Sequence, residues 1–166
     1  MEFWYAVQTK PRKEDLAEAN LSRQAFEVFL PRIKDARRRR GHWQDVIDPL
    51  FPRYLFVKAD LEKDNVAPIR STLGVTGLVR FGSEHVPVPR SFIEGLMSET
   101  DKDTGITLRS PQVFNKGDKV RMVKGPFAGV EAIFEAVSGE QRVMILLELL
   151  NRQNVVTMNT NYIVPA

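Results

Sequence analysis

The chain has 166 residues, 43% of them hydrophobic, which is enough for a packed core in one medium domain or two small ones. It contains no cysteine, which excludes disulfides, thiolate zinc sites and thiol catalysis. The net charge of +3 indicates no partner by itself, and since the apolar runs are short and the first residues lack a basic leader, we expect a cytoplasmic protein that does not contact membranes.

Strand and helix patterns alternate along residues 1–99, which predicts an α+β domain. Residues 3–9 alternate with period two and predict a strand, and residues 13–24 place Ala17 and Leu21 on one face of a helix. The further elements predicted are a strand at 26–33, a hairpin with a basic tip at 37–41, a strand at 54–58, a short helix at 66–71, a strand at 78–81 and a helix after Pro89 with Ser91 as its cap.

Residues 10–40 contain ten basic and five acidic side chains. This stretch predicts either a patch that faces phosphate groups or an ordinary solvated surface, and charge alone does not separate the two. The role of the arginines at 37–40 is left open for the same reason.

A second, smaller domain follows a stretch of low hydrophobic density. Residues 100–115 predict an interdomain linker, and residues 116–166 predict the second domain. Val120 and Met122 share one face of a strand there, and Gly125, Pro126 and Gly129 suit the turn that follows. This pattern is typical of a small β-barrel.

Residues 131–154 satisfy two patterns at once. A period of two gives a strand face with Val143, Ile145, Leu147 and Leu149. A period of three to four gives a helix face with Val143, Leu146, Leu147 and Leu150. Ser138 and Gly139 would separate two helices, so a barrel and a helical hairpin both remain open.

Four segments carry a resemblance to a known family. Residues 3–5 (FWY), 49–57 (PLFPRYLFV) and 74–81 (GVTGLVRF) resemble the amino-terminal domain of the NusG family of bacterial transcription elongation factors. Residues 117–129 resemble the KOW motif of the family's carboxyl domain. The resemblance implies a NusG-like α/β sandwich and a KOW domain, which is a β-barrel or, in an autoinhibited state, a helical hairpin.

Within the family, the chain resembles the specialised RfaH branch more than the general NusG branch. The segments that carry this closer resemblance are 18–25, 49–57, 78–82 and 132–151. The resemblance implies a monomeric antitermination factor that binds a paused RNA polymerase, suppresses pausing and termination, and couples transcription to translation through the ribosomal small-subunit protein NusE.

The resemblance also implies an apolar depression that seats the clamp helices of the largest polymerase subunit, while another face meets the β subunit. The side chains that fall in the depression are Tyr54, Phe56, Val79, Phe81, Ile93, Leu96 and Met97. Alternation alone favours ordinary core for each of them, whereas the resemblance favours an interface for Tyr54 and Phe81. The family's threonine-rich contact to the β subunit is replaced here by Asn65, Val66, Ala67 and Pro68.

A second implied contact is with the non-template DNA strand. The matching positions are Lys10, Arg23, Gln24, Thr72 and Gly74, where cations hold phosphates and Arg23 and Gln24 face a base edge. Asn20 and Leu73 depart from the RfaH pattern, so the recognised DNA element is expected to differ. In the closed form the resemblance implies an interdomain salt bridge between Asp48 and Arg142.

No catalytic, metal or cofactor site is expected. His42 and His85 lie apart in the sequence, without a nucleophile or metal-ligand spacing around them. Two alternatives to the RfaH-like interpretation remain. One is a general NusG-type elongation factor, and the other, more distant, is a KOW accessory protein that binds RNA or the ribosome.

Overall fold

The structure is a computed structural model that describes residues 1–109 and 128–162, with side chains described as far as residue 152 except at 109, 128 and 131. The predicted barrel strand with Val120 and Met122, and the turn at Gly125 and Pro126, lie outside these ranges. Within the ranges, no helix is long and apolar enough to cross a membrane.

Strands and helices alternate through residue 109, which confirms the predicted α+β class. In chain order the elements are β1 (Phe3–Thr9), α1 (Glu14–Arg23), β2 (Glu27–Phe29), β3 (Arg32–Arg39), β4 (His42–Pro49), β5 (Tyr54–Ala59), α2 (Ala67–Ser71), β6 (Val75–Leu78), β7 (Arg80–Phe81), β8 (Glu84–His85), β9 (Pro87–Val88), α3 (Arg90–Glu99), β10 (Ile106–Arg109), α4 (Ala128–Glu135) and α5 (Gly139–Tyr162).

The main sheet is antiparallel and has the strand order β2-β5-β1-β6, with β9 also paired to β1. Because successive side chains of a strand point to opposite faces, both faces of this sheet are apolar. On one face, Val7 of β1 packs with Leu21 of α1. On the other, Phe56 of β5 packs with Phe92 of α3. The sheet therefore separates two apolar clusters.

The predicted basic hairpin is confirmed as β3 and β4, which pair from Arg32–Pro49 to Arg39–His42. It turns at Arg40 (φ 52°) and Gly41 (φ 80°). Two successive left-handed residues form the tight turn whose twist matches that of the flanking strands. β10 pairs in parallel with β3 and completes a three-stranded sheet.

Two predicted strands are divided in the structure. The strand expected at 26–33 is interrupted before Arg32 because Pro31 lacks the N–H that a sheet requires, so β2 ends at Phe29. The strand expected at 78–81 begins earlier, at Val75, and its last residues turn away to pair as β7 with β8.

Two other predictions are wrong. Ser91 does not cap α3, which begins at Arg90 after Pro89 and has no side-chain hydrogen bond at its start. The predicted linker contains β10, whose Ile106 and Leu108 are buried. A short apolar alternation can form a strand when a neighbouring strand such as β3 offers its free edge.

The carboxyl segment is helical in this structure, and the break predicted at Ser138 and Gly139 separates α4 from α5. A capping box starts α5: Ser138 Oγ accepts a hydrogen bond from Gln141 N (3.2 Å), and Gln141 Oε1 accepts one from Ser138 N (3.3 Å). Leu146 and Leu150, from the helix pattern, are fully buried. The helical pattern is therefore the one that packs here.

Replacing the capping serine should loosen the start of α5. In Ser138→Ala we expect the helix start to lose about 1 kcal/mol, because the Gln141 N–H loses its acceptor. Amide hydrogen exchange over residues 141–146 should become faster in that variant. Ser98→Ala is the control, since its exposed hydroxyl bonds only to Gly95 O in α3 (2.7 Å). Equal exchange in α5 of both variants would contradict a role for the capping box.

Candidate functional site

The apolar face predicted as a docking site is assembled from β5, α3 and the segment between β6 and β8. Phe56, Ile93 and Leu96 are fully buried in one cluster, and Tyr54, Val79 and Phe81 are partly buried against it. Met97 lies at the border, with 38% of its surface exposed. We call these seven side chains the apolar face.

Phe56 of the apolar face packs against two further aromatic rings. Phe51 meets Phe56 edge-on, with ring centroids 5.7 Å apart, and Phe92 lies 6.3 Å from each of them. Such contacts add to area burial. Phe51 and Phe92 were not among the predicted site residues, although Phe92 lies four residues before Leu96 on the same helical stripe, a signal that predicts its position.

The carboxyl helices cover the apolar face. Val130 and Ile133 of α4 and Leu146 and Leu150 of α5 are fully or nearly fully buried in the same cluster as Phe56 and the other residues of the face. Six of the seven residues are therefore buried or partly buried, as the core interpretation expects, and the interface stays a prediction. They are buried, but the atoms that bury them belong to the carboxyl segment and not only to the amino-terminal domain.

The approach of the helices is close at two glycines. A Cβ on Gly95 of α3 would lie 3.3 Å from Val130 Cγ2, and a Cβ on Gly139 would lie 2.7 Å from Pro52 Cγ. The second distance is shorter than real Cβ contacts, so only glycine fits at 139 without a shift. Small residues thus permit the docking of α4 and α5.

The expected Asp48–Arg142 salt bridge is not formed. Asp48 instead pairs with Arg37 on the same face of the β3–β4 hairpin. Arg142 is buried, and its Nε donates a hydrogen bond to the Leu50 carbonyl (2.7 Å). Burial lowers the pKa of the Arg142 guanidinium, while Asp35 and Asp48 act in the opposite direction. Arg142 therefore joins α5 to the first domain through a backbone carbonyl.

The five predicted DNA-binding residues come together beside α1. Lys10 N donates to Gly74 O (2.9 Å), which joins the end of β1 to the start of β6. Gly74 has φ +92°, and a Cβ there would lie 3.2 Å from the backbone of α1 at both Lys13 O and Ala17 N. Glycine is required at this position because the α1 backbone approaches it so closely.

We call the five predicted residues the DNA face: Lys10, Arg23, Gln24, Thr72 and Gly74. Side-chain hydrogen bonds hold Arg23, Gln24 and Thr72 in place. Gln24 Nε2 donates to Thr72 Oγ1 (2.8 Å), and Arg23 Nη1 donates to Asn20 Oδ1 (3.2 Å). Asn20 also donates to the Leu73 carbonyl (3.4 Å), and the Leu73 side chain is 66% exposed. The two positions that depart from the RfaH pattern, Asn20 and Leu73, thus lie next to the DNA face.

The basic stretch at 10–40 is not one surface. Arg32 pairs with Asp15 (2.6 Å) and Glu18 (3.2 Å), so it ties β3 to α1. Burial raises the pKa of Glu18, and Arg32 counteracts that effect. The remaining arginines at 37–40 stand at the exposed end of the hairpin.

Val66 and Ala67, from the stretch that replaces the family's β-subunit contact, line a surface cavity of ≈ 450 Å³. Arg70, Arg80 and His85 line it as well. The His85 Nδ1 atom is buried and has no hydrogen-bond partner in the described part of the chain. His42 lies elsewhere, at the hairpin tip, so the two histidines are not brought together.

The matching family model and the curated relatives agree on one family. Residues 2–97 match the family model described as "Transcription termination factor nusG". The "Transcription termination/antitermination protein NusG" of Thermus thermophilus is 30% identical over 98% of each chain, and that of Bacillus subtilis is 26% identical over 93% of each chain. A solved structure titled "Domain interaction in Thermotoga maritima NusG" is 19% identical, with a TM-score of 0.43 over 77% of this chain and 67% of that chain.

The family model spans more than half of the sequence, and the Thermus thermophilus relative aligns with almost all of it. The main sheet, the apolar face and the DNA face lie within the residues that the family model matches, whereas β10, α4 and α5 lie beyond them. The chain belongs to the NusG family.

Proposed function

We propose that the protein is a transcription termination/antitermination factor of the RfaH type, which binds RNA polymerase through the apolar face and is held closed by α4 and α5 until DNA recruits it. The observation that carries the proposal is the single apolar cluster shared by Phe56, Ile93 and Leu96 with Ile133 and Leu146.

The cluster makes two binding events mutually exclusive. Burial of each large aliphatic side chain stabilises a contact by about 1.5–3 kcal/mol, so the face attracts whichever apolar partner reaches it. Atoms already in contact with Leu146 and Leu150 cannot also contact a polymerase helix. Polymerase affinity is therefore reduced in proportion to the fraction of molecules that are open.

The covering helices also indicate the shape of the partner. α4 and α5 are a helical pair, and the face accepts one apolar stripe from each of them. The clamp helices of the largest polymerase subunit are expected to dock as a second helical pair in the same place. Tyr54 and Phe81, which are only partly buried under α4 and α5, would then form further contacts.

The DNA face supplies the recruitment step. Gln24 Nε2 is held by Thr72 Oγ1, which leaves the amide oxygen without a partner in the described part of the chain and able to accept from a base. Arg23 and Lys10 add positive charge for the phosphates of the non-template strand. We expect the exposed Leu73 to favour a DNA element different from that of other RfaH-type factors.

After release, residues 116–166 are expected to form the KOW barrel. The alternative strand face of Val143, Ile145, Leu147 and Leu149 would then form its core. A freed barrel of this kind would be able to contact NusE and so couple transcription to translation. The β subunit is expected to meet a separate surface, and whether residues 65–68 form part of it is left open, because they replace the family's threonine-rich contact.

A general NusG factor is the second candidate, and the names of the curated relatives favour it. Its carboxyl domain would be a permanent barrel. Backbone chemical shifts of residues 139–150 distinguish the two. We expect helix shifts in the full chain and strand shifts in a fragment that starts near residue 100. Strand shifts in both would support the general factor.

Opening the cover should strengthen polymerase binding. In Leu146→Asp a charge must enter the apolar cluster, which is strongly unfavourable, so the helices should leave the face. We expect the affinity of the full chain for core RNA polymerase, without the DNA element, to rise at least tenfold. Met144→Asp is the matched control on α5, because that side chain is 68% exposed. Equal affinities of the two variants would contradict autoinhibition.

Removing the base-reading side chain should weaken recruitment. In Gln24→Ala we expect affinity for a paused complex with an open bubble to fall about 5- to 150-fold, because one good base contact is lost. Lys102→Ala, an exposed cation between α3 and β10, should change it little. Binding would be measured by fluorescence anisotropy of the labelled non-template strand. A loss of equal size in Lys102→Ala would indicate a nonspecific charge effect.

A further inference from the structure

The tip of the β3–β4 hairpin projects into solvent as a narrow ribbon. Every side chain from residue 37 to residue 45 is exposed. The turn at Arg40 and Gly41 closes the hairpin with two left-handed residues. Eight cross-strand pairs along β3 and β4 hold the hairpin in one register. The tip therefore presents its side chains in a fixed order.

One of those side chains is a tryptophan. Trp43 is 66% exposed, whereas the other tryptophan, Trp4, is 7% exposed and lies in the core. Trp43 is directly opposite Arg38 in the register, so the two side chains share one face of the ribbon. Ile47, four residues along on the same face, is 51% exposed. An aromatic ring is thus displayed next to a cation.

The charge at the tip is strongly positive. Lower on the ribbon, Lys34 pairs with Asp45 (3.5 Å) and Arg37 pairs with Asp48. In the described ranges no acidic side chain lies within ion-pairing distance of the arginines at 38–40. The tip therefore carries three cations, and one of them, Arg38, shares the face of the ribbon with Trp43.

We propose that Trp43 stacks on an unpaired base of a DNA strand while Arg38 and its neighbours hold the adjacent phosphates. An aromatic ring beside cations is the arrangement by which proteins bind single strands without reading their sequence. The contact is separate from the DNA face, because β3 extends from Arg32, which pairs with Asp15 and Glu18 of α1, to Arg39 at the tip.

DNA is the expected strand because of how the hairpin is anchored. Arg32 joins the base of β3 to Asp15 and Glu18 of α1. The DNA face also meets that helix, with Gly74 near its start and Arg23 at its end. A strand bound there is the nearest nucleic acid, so on this point the inference rests on the proposed function. A protein partner at the tip would have to be strongly acidic to meet three unpaired cations.

The test compares strands with and without bases. The full chain would be titrated with a single-stranded 12-nucleotide thymidine DNA, with an abasic DNA of equal length and with the matching uridine RNA. Trp43→Ala should weaken binding of the thymidine strand about 5- to 150-fold and leave the abasic strand unchanged. Trp43→Phe should retain most of the affinity, and Ile47→Ala should retain all of it. Quenching of tryptophan fluorescence by the thymidine strand should disappear in Trp43→Ala.

Other outcomes would overturn the inference. Equal losses on the thymidine and abasic strands would mean that Trp43 only supports the arginines. Tighter, Trp43-dependent binding of the RNA would reject DNA as the ligand. Weaker binding of Trp43→Ala to polymerase without nucleic acid, with the thymidine strand bound normally, would assign the tip to a protein partner.

The paused complex separates this inference from the proposed function. If Gln24→Ala weakens binding there and Trp43→Ala weakens neither that binding nor that of the thymidine strand, only the stacking role fails. If Gln24→Ala has no effect while Trp43→Ala weakens binding of the thymidine strand, recruitment through the DNA face fails and the stacking role stands.

Discussion

The contact on which the rest of the structure depends is the one between the apolar face and the carboxyl helices. Phe56, Phe92 and Leu96 form one side of a cluster that Leu146 and Leu150 complete. Without a cover, this face would be a large apolar patch of the kind that soluble proteins rarely expose. The position of α4 and α5, the burial of Arg142 and the glycine at 139 all follow from the need to cover it.

The same contact accounts for the helical structure of α4 and α5. The apolar residues of the carboxyl segment fit a strand face and a helix face about equally, so local sequence preference does not choose between them. In this structure, contacts other than the apolar pattern itself support the helix. The Ser138–Gln141 capping box supports the helix start, and Leu146 and Leu150 are buried as helix residues against the apolar face. Two packings of one segment can coexist when they differ by only a few kcal/mol.

Sequence reasoning predicted the elements that rest on local periodicity, such as β1, α1 and the basic hairpin. It also predicted residues that the structure brings together at the apolar and DNA faces. It failed where distant contacts decide: β10 forms because β3 offers an edge, and Asp48 pairs with Arg37 rather than with Arg142. Family resemblance indicates which residues meet, but not which of several nearby partners a charged side chain takes.

The strand β10 has a consequence for the reach of the carboxyl segment. Because β10 fixes Arg109 beside β3, the connection to α4 at Ala128 starts at residue 110 and not at residue 100, where the predicted linker starts. Even fully extended, that stretch spans no more than about 65 Å. For α4 and α5, which are confined to that radius, the effective concentration of the apolar face is on the order of 1 mM. Any partner in free solution must therefore compete for the apolar face with α4 and α5, which the chain keeps close to it.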